Sequence, residues 1–270
     1  TFTLAPYDVL NLETVFINPF QFPPPSVPDL SGTTVSSSKR VAVFFGTDLS
    51  VVTDGIDDGS DGCCAEHLEQ QILPNRAMRN DYVVSRSAPR VPADPEYDVY
   101  RIIALLPNTS VTTNLPGGDA SFTLGAGQWR ELKSTTGFVV QASGPLHVAQ
   151  FLVQGSDAGY IGDSSLLYVP AVEQRRERVI FTTGQGFSSH FVVISLPQGV
   201  GAELDGVSIL GGACAGPAID GELDGTTYVT WTCPITEDVH ELVAEEPAGV
   251  YVYGYYSAGS YAYPAGAGLE

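Results

Sequence analysis

Short apolar runs separated by Gly, Pro, Asn and Asp recur along the whole chain, and several of the runs repeat one another. The fullest copy is FTLGAGQWRELKSTTGFVVQASGPLHVAQF, residues 122–151. GTTVSSSKRVAVFFG (32–46) lies over GFVVQASGPLHVAQF (137–151) without a gap, matching Val35 with Val140, Val41 with Leu146 and Val43 with Val148. TFTLAPYDVLNL lies over SFTLGAGQWREL in the same way, Phe2 on Phe122, Leu4 on Leu124 and Leu12 on Leu132. A looser third copy is YVTWTCPITEDVHEL followed by AGVYVYGYYSAGS. Repetition at this period indicates a fold built by tandem duplication.

The connectors repeat as well. ILPNRAMRNDYVVSRS and YVPAVEQRRERVIFTTG share an apolar residue and Pro, then a polar stretch, then an apolar strand, so that Pro74 matches Pro170 and Val83 matches Val179. YRIIALLPNTSV likewise lies over HFVVISLPQGVG, with Leu106 and Pro107 over Leu196 and Pro197. Short strands with turn residues between them predict an all-β chain of tandem antiparallel β-sandwich repeats. The divisions are 1–79, an incomplete first repeat with an acidic loop and a short helix; 80–175, a second repeat and its connector; and 176–270, a third. The helix is expected in AEHLEQQIL, where Leu68, Ile72 and Leu73 have helical spacing and Pro74 ends the run. The Pro-rich insertion NPFQFPPPSVPD predicts an extended surface loop. If the repeats superpose as written, Leu106, Phe122, Leu132, Val140 and Val148 are buried, as are Leu196, Tyr228, Leu242, Val250 and Val252.

Composition agrees with strands and turns: 29 Gly and 19 Pro accompany many Val, Thr and Tyr. Twelve basic against 31 acidic residues give a net charge of -19. That charge argues against nucleic acid or an anionic membrane as partner, because both need clustered Lys and Arg. The longest apolar run, 138–153, is broken by Gly, Pro, His and Gln, so no membrane insertion is expected. A start at Thr1 without Met reads as a processed or excised piece. Four Cys and one Met suit an oxidising compartment. Cys214 and Cys233 flank a Gly-rich loop between two expected strands and predict a disulfide, whereas the adjacent Cys63 and Cys64 could bridge each other, pair elsewhere or stay reduced.

Candidate chemistry is sparse. The sequence contains no Gly-rich phosphate cradle, CxxC pair, HExxH helix or GxSxG elbow. Asp54, Asp57, Asp58 and Asp61 crowd the acidic connector, but no register of the EF-hand pattern fits them. A calcium ion held by a different arrangement and a solvated acidic turn are the two readings; no other cofactor is expected. His67, with Glu66 and Glu69 beside that loop, is the one place where a cation-dependent hydrolase could be centred. His147, His190 and His240 lie far apart in sequence. Arg175, Arg176 and Arg178, interleaved with Glu173 and Glu177, read as a self-paired surface. On a strand, Tyr251, Tyr253 and Tyr255 share one face, opposite Val250 and Val252. That face suits a binding surface, because Tyr offers rigid apolar area with a polar tip, and it equally suits packing between consecutive sandwiches.

YDVLNLET, DLSGTTVSSSKRVAVFFG, AEHLEQQILP, YRIIAL, FTLGAGQWREL, GYIGDSSLLYVPAVEQ and VYVYGYYSAGSYAYPAG together resemble the N-terminal domain of the IgG Fc-binding protein family, known in mucus-associated animal proteins and bacterial surface or secreted proteins. Where bacterial members often show Asp-Pro-Ser, this chain has Asp163-Ser164-Ser165, and the Pro-rich insertion is its own. The resemblance implies an extracellular, non-enzymatic binding or adhesion module with a protein or glycan ligand. A structural spacer is the alternative to a binding role.

Overall fold

The computed structural model describes residues 1–14, 30–53, 65–93 and 95–268. Its regular structure is antiparallel β-sheet, apart from short 3-10 turns. A hairpin of β1 (Phe44–Ser50) and β2 (Glu66–Gln71) comes first. A seven-stranded sheet follows, made of β3 (Arg79–Val84), β4 (Asp98–Ala104), β5 (Thr109–Thr113), β6 (Ser121–Leu124), β7 (Trp129–Ser134), β8 (Phe138–Leu152) and β9 (Ser165–Tyr168). The third sheet has eight strands: β10 (Arg176–Thr182), β11 (Ser189–Pro197), β12 (Ala202–Leu204), β13 (Val207–Ser208), β14 (Ala215–Leu223), β15 (Thr226–Ile235), β16 (Val239–Tyr256) and β17 (Gly259–Pro264).

Each large sheet is organised around one long strand with a break in its middle. In β8 the first half pairs with β3 and β5, and the second half with β4 and β9. In β16 the first half pairs with β10 and β12, and the second with β11 and β17. The break is a bulge at the same place in both. Arg79 opposes Leu146 and Asp81 opposes Gln141; Arg176 opposes Ala248 and Arg178 opposes Val243. Pro145 and Pro247 lie inside these bulges, where a residue without N–H costs the ladder nothing. The bend lets one strand belong to two layers, so each sheet curls into a sandwich-like unit. The strand order of the first unit recurs in the second, with β14 added at the edge beside β15.

The pairing registers correct the repeat alignment. The bulges place Val140 with Leu242 and Val148 with Val250, all four buried. Phe122 lies in β6 but Tyr228 in β15, and Leu132 lies in β7 but Leu242 in β16. Leu106 is exposed beyond the end of β4, whereas Leu196 is buried within β11. Apolar identity alone admitted a shifted overlay, because both faces of the second half of β16 are apolar.

The N-terminal copy also departs from expectation. Phe2, Leu4, Leu12, Val35 and Val41 are exposed, and no strand precedes Phe44 among the described residues. A strand needs a neighbour for its backbone groups, and only Phe44–Ser50 finds one, in β2. The helix expected over AEHLEQQIL is instead β2, with Leu68 buried against Ala149 and Leu166. Sheet pairing and this contact override the helical spacing. The helical element of each connector is a 3-10 turn, Asn75–Ala77 directly after Pro74 and Val172–Gln174 after Ala171, one residue beyond Pro170, so the connector overlay shifts by one and Ile180, not Val179, stands in the place of Val83.

The first core gathers Tyr82, Tyr100, Ile102, Leu132, Phe138, Leu146 and Leu167, and the second gathers Val179, Phe181, Val192, Ile194, Leu196 and Leu242. Cys214 and Cys233 are joined in a disulfide, S–S 2.07 Å, with buried Cys233 in the second core. The bridge ties the 205–214 loop, including buried Ile209, over that core. Replacing both cysteines with Ala should lower unfolding free energy by about 3 kcal/mol in the chain-entropy account of a loop of this length. Urea unfolding of both forms measures the difference.

Candidate functional site

The tyrosines expected on one face of a strand are on one face of β16, and that face is closed. Tyr251, Tyr253 and Tyr255 belong to the core of the first unit, while Val250 and Val252 point into the second. A binding surface at these three residues is therefore corrected to an internal seam, in which the period-two alternation of one strand fills two cores. The Tyr253 hydroxyl donates to Gln150 Oε1 at 2.9 Å, and the Tyr255 hydroxyl donates to the Ala88 carbonyl at 2.8 Å. Burial pushes the Tyr251 hydroxyl up to about 12 despite the neighbouring Arg175 guanidinium, and raises Tyr253 and Tyr255 as well.

Buried polar residues cluster where the seam is built. Gln150 passes the Tyr253 contact on, donating to Asp98 at 2.9 Å. Asp98 is fully buried and also accepts from the Ser87 amide at 2.6 Å, the Ser87 hydroxyl at 2.8 Å and the Tyr100 hydroxyl at 3.2 Å. Burial raises its pKa against the lowering pull of Arg86. Arg90 and Glu96 form a buried ion pair at 2.9 Å, and Arg90 also donates to the Val153 carbonyl at 2.9 Å.

A second cluster joins the units across the outer side of β3. Asp220 of β14 is buried, accepts from the Thr230 hydroxyl at 2.6 Å, and through its backbone carbonyl accepts from Asn114 Nδ2 at 2.7 Å. Ser85 of the first unit is 2.7 Å from the Thr230 hydroxyl and donates weakly to Asp220 at 3.5 Å. Burial raises the Asp220 carboxyl to about 7, opposed by the Thr230 hydrogen bond and the Arg175 charge. Arg175 is buried as well, bonding the Val83 carbonyl at 3.3 Å and the Ser195 hydroxyl at 3.1 Å. It is thus not part of a self-paired surface run, and Arg178 pairs with Glu241 rather than with a neighbour in sequence. A clasp of this kind fits only one relative placement of the units, because an unpaired member would be a buried unsatisfied group.

Asp54, Asp57, Asp58 and Asp61, with Cys63 and Cys64, lie outside the described residues. His67 stands on β2, exposed, 3.3 Å from Glu69 on the same strand face, and Glu66 projects from the other. No group of three or more metal-ligating side chains occurs among the described residues. The other histidines are separate: His190 contacts the Tyr261 hydroxyl at 2.9 Å, and His240 contacts Asp205 at 2.7 Å. His147 lines a small crevice with Leu73, Met78, Tyr82 and Tyr168; its Nδ1 is buried without a hydrogen-bond partner, and burial lowers its pKa to about 4.

Sequence reasoning passed over Asp98, Gln150 and Asp220, and it placed Arg175 on the surface. A charged or amide residue flanked by apolar ones on a strand, as Asp98 is in YDVY and Gln150 in VAQFL, was the available signal.

The clasp sets two expectations. Asp220 has an ordinary value of 3.8 and a folded value of about 7, so between these the unfolded chain has lost a proton that the folded chain retains. Its contribution is fully present below about pH 4 and is lost as pH rises towards 7. Relative to Asp220→Asn, the wild type should lose up to about 1.4 kcal/mol per pH unit in that window, read from urea unfolding at several pH values. Secondly, a Cβ on Gly137 would lie 1.8 Å from Asp220 Oδ1. Gly137→Ala should cost about 1–3 kcal/mol, and much less in an Asp220→Ala background, which a double-mutant cycle measures.

No curated protein and no solved structure matches the chain. The family model described as IgGFc binding protein matches residues 1–254. That match runs through the hairpin, the first unit and the second unit as far as Gly254, taking in Tyr251 and Tyr253 of the seam, and by it the chain belongs to the IgGFc binding protein family.

Proposed function

We propose that the chain is an extracellular, non-enzymatic binding or adhesion module whose ligand is a protein or a glycan. Family membership over residues 1–254 carries this reading. The disulfide between Cys214 and Cys233 suits an oxidising compartment. Two carboxyls with raised pKa values, Asp98 and Asp220, are buried and occupied in joining strands, out of reach of a substrate. No helix among the described residues is long and apolar enough to cross a membrane.

The test immobilises the oxidised chain and passes over it IgG Fc, a panel of secreted mucus and serum proteins, and mucin-type glycans. Saturable, reversible binding to a member of one class is expected, with the ligand recovered chemically unchanged. Recovery of cleaved ligand would overturn the reading in favour of an enzyme. Absence of saturable binding across the panel would overturn it in favour of a spacer.

A further inference from the structure

The outer face of β10 and the first half of β16 is the counterpart of a face that the chain itself covers in the first unit. The matching bulges set the correspondence. Ile180 stands where Val83 stands, and Glu241 where Val139 stands. Val243 replaces Gln141, Val239 replaces Gly137, and Arg178 replaces Asp81.

In the first unit that face is an interface. Val83 and Val139 are 0% and 6% exposed, packed beneath Leu223 and Tyr228 of the β14–β15 hairpin. Gln141 Nε2 donates to Asp224 in the hairpin turn at 3.0 Å. In the second unit Ile180, Val239 and Val243 are 66%, 64% and 43% exposed. They alternate with the buried Val179, Phe181 and Leu242, and strand pairing sets all three around Glu241.

We propose that the Ile180–Val239–Val243 face is a docking site for the β-hairpin of a partner whose tip carries an aliphatic and a tyrosine side chain beside an acidic turn. Leu223, Tyr228 and Asp224 show this chemistry on the equivalent face within the chain. Charge is balanced rather than attractive on the second face. Arg178 stands where Asp81 stands but is paired with Glu241 at 2.6 Å, and Glu203 opposes Val243 where Thr112 opposes Gln141. The equivalence of the two faces and their apolar side chains therefore specify the hairpin. Val239 fills the space that Asp220 enters beside Gly137, so the partner needs a small residue at the position of Asp220. The hairpin of a second copy is occupied by that copy's own first unit, which points to a hairpin outside this sequence as donor. The inference stands on strand registers and burial alone and is independent of the family's ligand.

The probe is a cyclic peptide closing GELDGTTY (221–228) into a hairpin, titrated into the isotope-labelled full chain and followed by amide NMR. Saturable shifts confined to residues 178–182 and 239–243 are expected, with a dissociation constant of order millimolar for so small a contact. Ile180→Asp should abolish them while leaving the rest of the spectrum in place. A peptide with Ser for its tyrosine should bind at least about tenfold more weakly, the loss expected for an aromatic anchor. Absence of shifts up to about 5 mM peptide, or shifts unaffected by Ile180→Asp, would overturn the proposal. So would sedimentation showing that the peptide-free chain dimerises through this face and that Ile180→Asp makes it monomeric, since a second copy would then be the occupant.

Discussion

Everything else in the structure depends on the second half of β16, which serves as a wall between two cores. Tyr251, Tyr253 and Tyr255 enter the first core, and Val250 and Val252 enter the second. A strand buried on both faces loses the polar alternation of a surface strand and reads as a continuous apolar run. Tyrosine meets a particular demand here. Its ring supplies the area a core requires, but its hydroxyl must then find a partner. Gln150 and the Ala88 carbonyl provide two such partners from the first unit, so the seam specifies position as well as burying surface.

The charged residues inside the molecule make sense against that wall. Asp98, Asp220, Arg175 and the Arg90–Glu96 pair are all removed from water, which is costly unless each is met by several hydrogen bonds or an opposite charge. Most are met from more than one strand, and Asp220 and Arg175 are met from both units. Their value lies in uniqueness: an apolar interface tolerates small slips, whereas a network of this kind is satisfied in one arrangement. Asp98, Asp220 and Arg175 carry displaced pKa values, so perturbed titration at these three marks structural joints in a closed interior.

Stacked repeats leave faces at their ends, and this chain treats two of them differently. The second core is covered by the 205–214 loop, anchored by the disulfide at Cys233. Cys233 occupies the inward position that Leu132 holds in the first unit, as the pairings of Tyr100 with Leu132 and Gln150, and of Val192 with Cys233 and Val252, require. The outer row around Ile180 is left open, although its counterpart around Val83 is covered. In repeat architectures, terminal faces determine solubility and association.

Much of the architecture was legible in the sequence because strands, turns and cross-links are local or composition-driven. Alternating apolar runs, the Leu-Pro and connector motifs and the spacing of Cys214 and Cys233 predict an all-β duplicated chain with one bridge across a Gly-rich loop. Register was not legible: when both faces of a strand are apolar, as in VYVYGYY, a shift of two residues looks as good as the true overlay, and only the bulges at Pro145 and Pro247 decide it. AEHLEQQIL has helical spacing, yet pairing with Phe44–Ser50 and burial of Leu68 make it a strand. The tyrosine face was legible as a face, but what covers it was not, because partners such as the Ala88 carbonyl and Gln150 are distant in sequence. By itself the sequence determined which segments become strands and that they repeat, since those follow from side-chain period and turn chemistry. Only the tertiary structure decided which faces meet and which carboxyls lose water, because burial is a property of the neighbours that folding brings together.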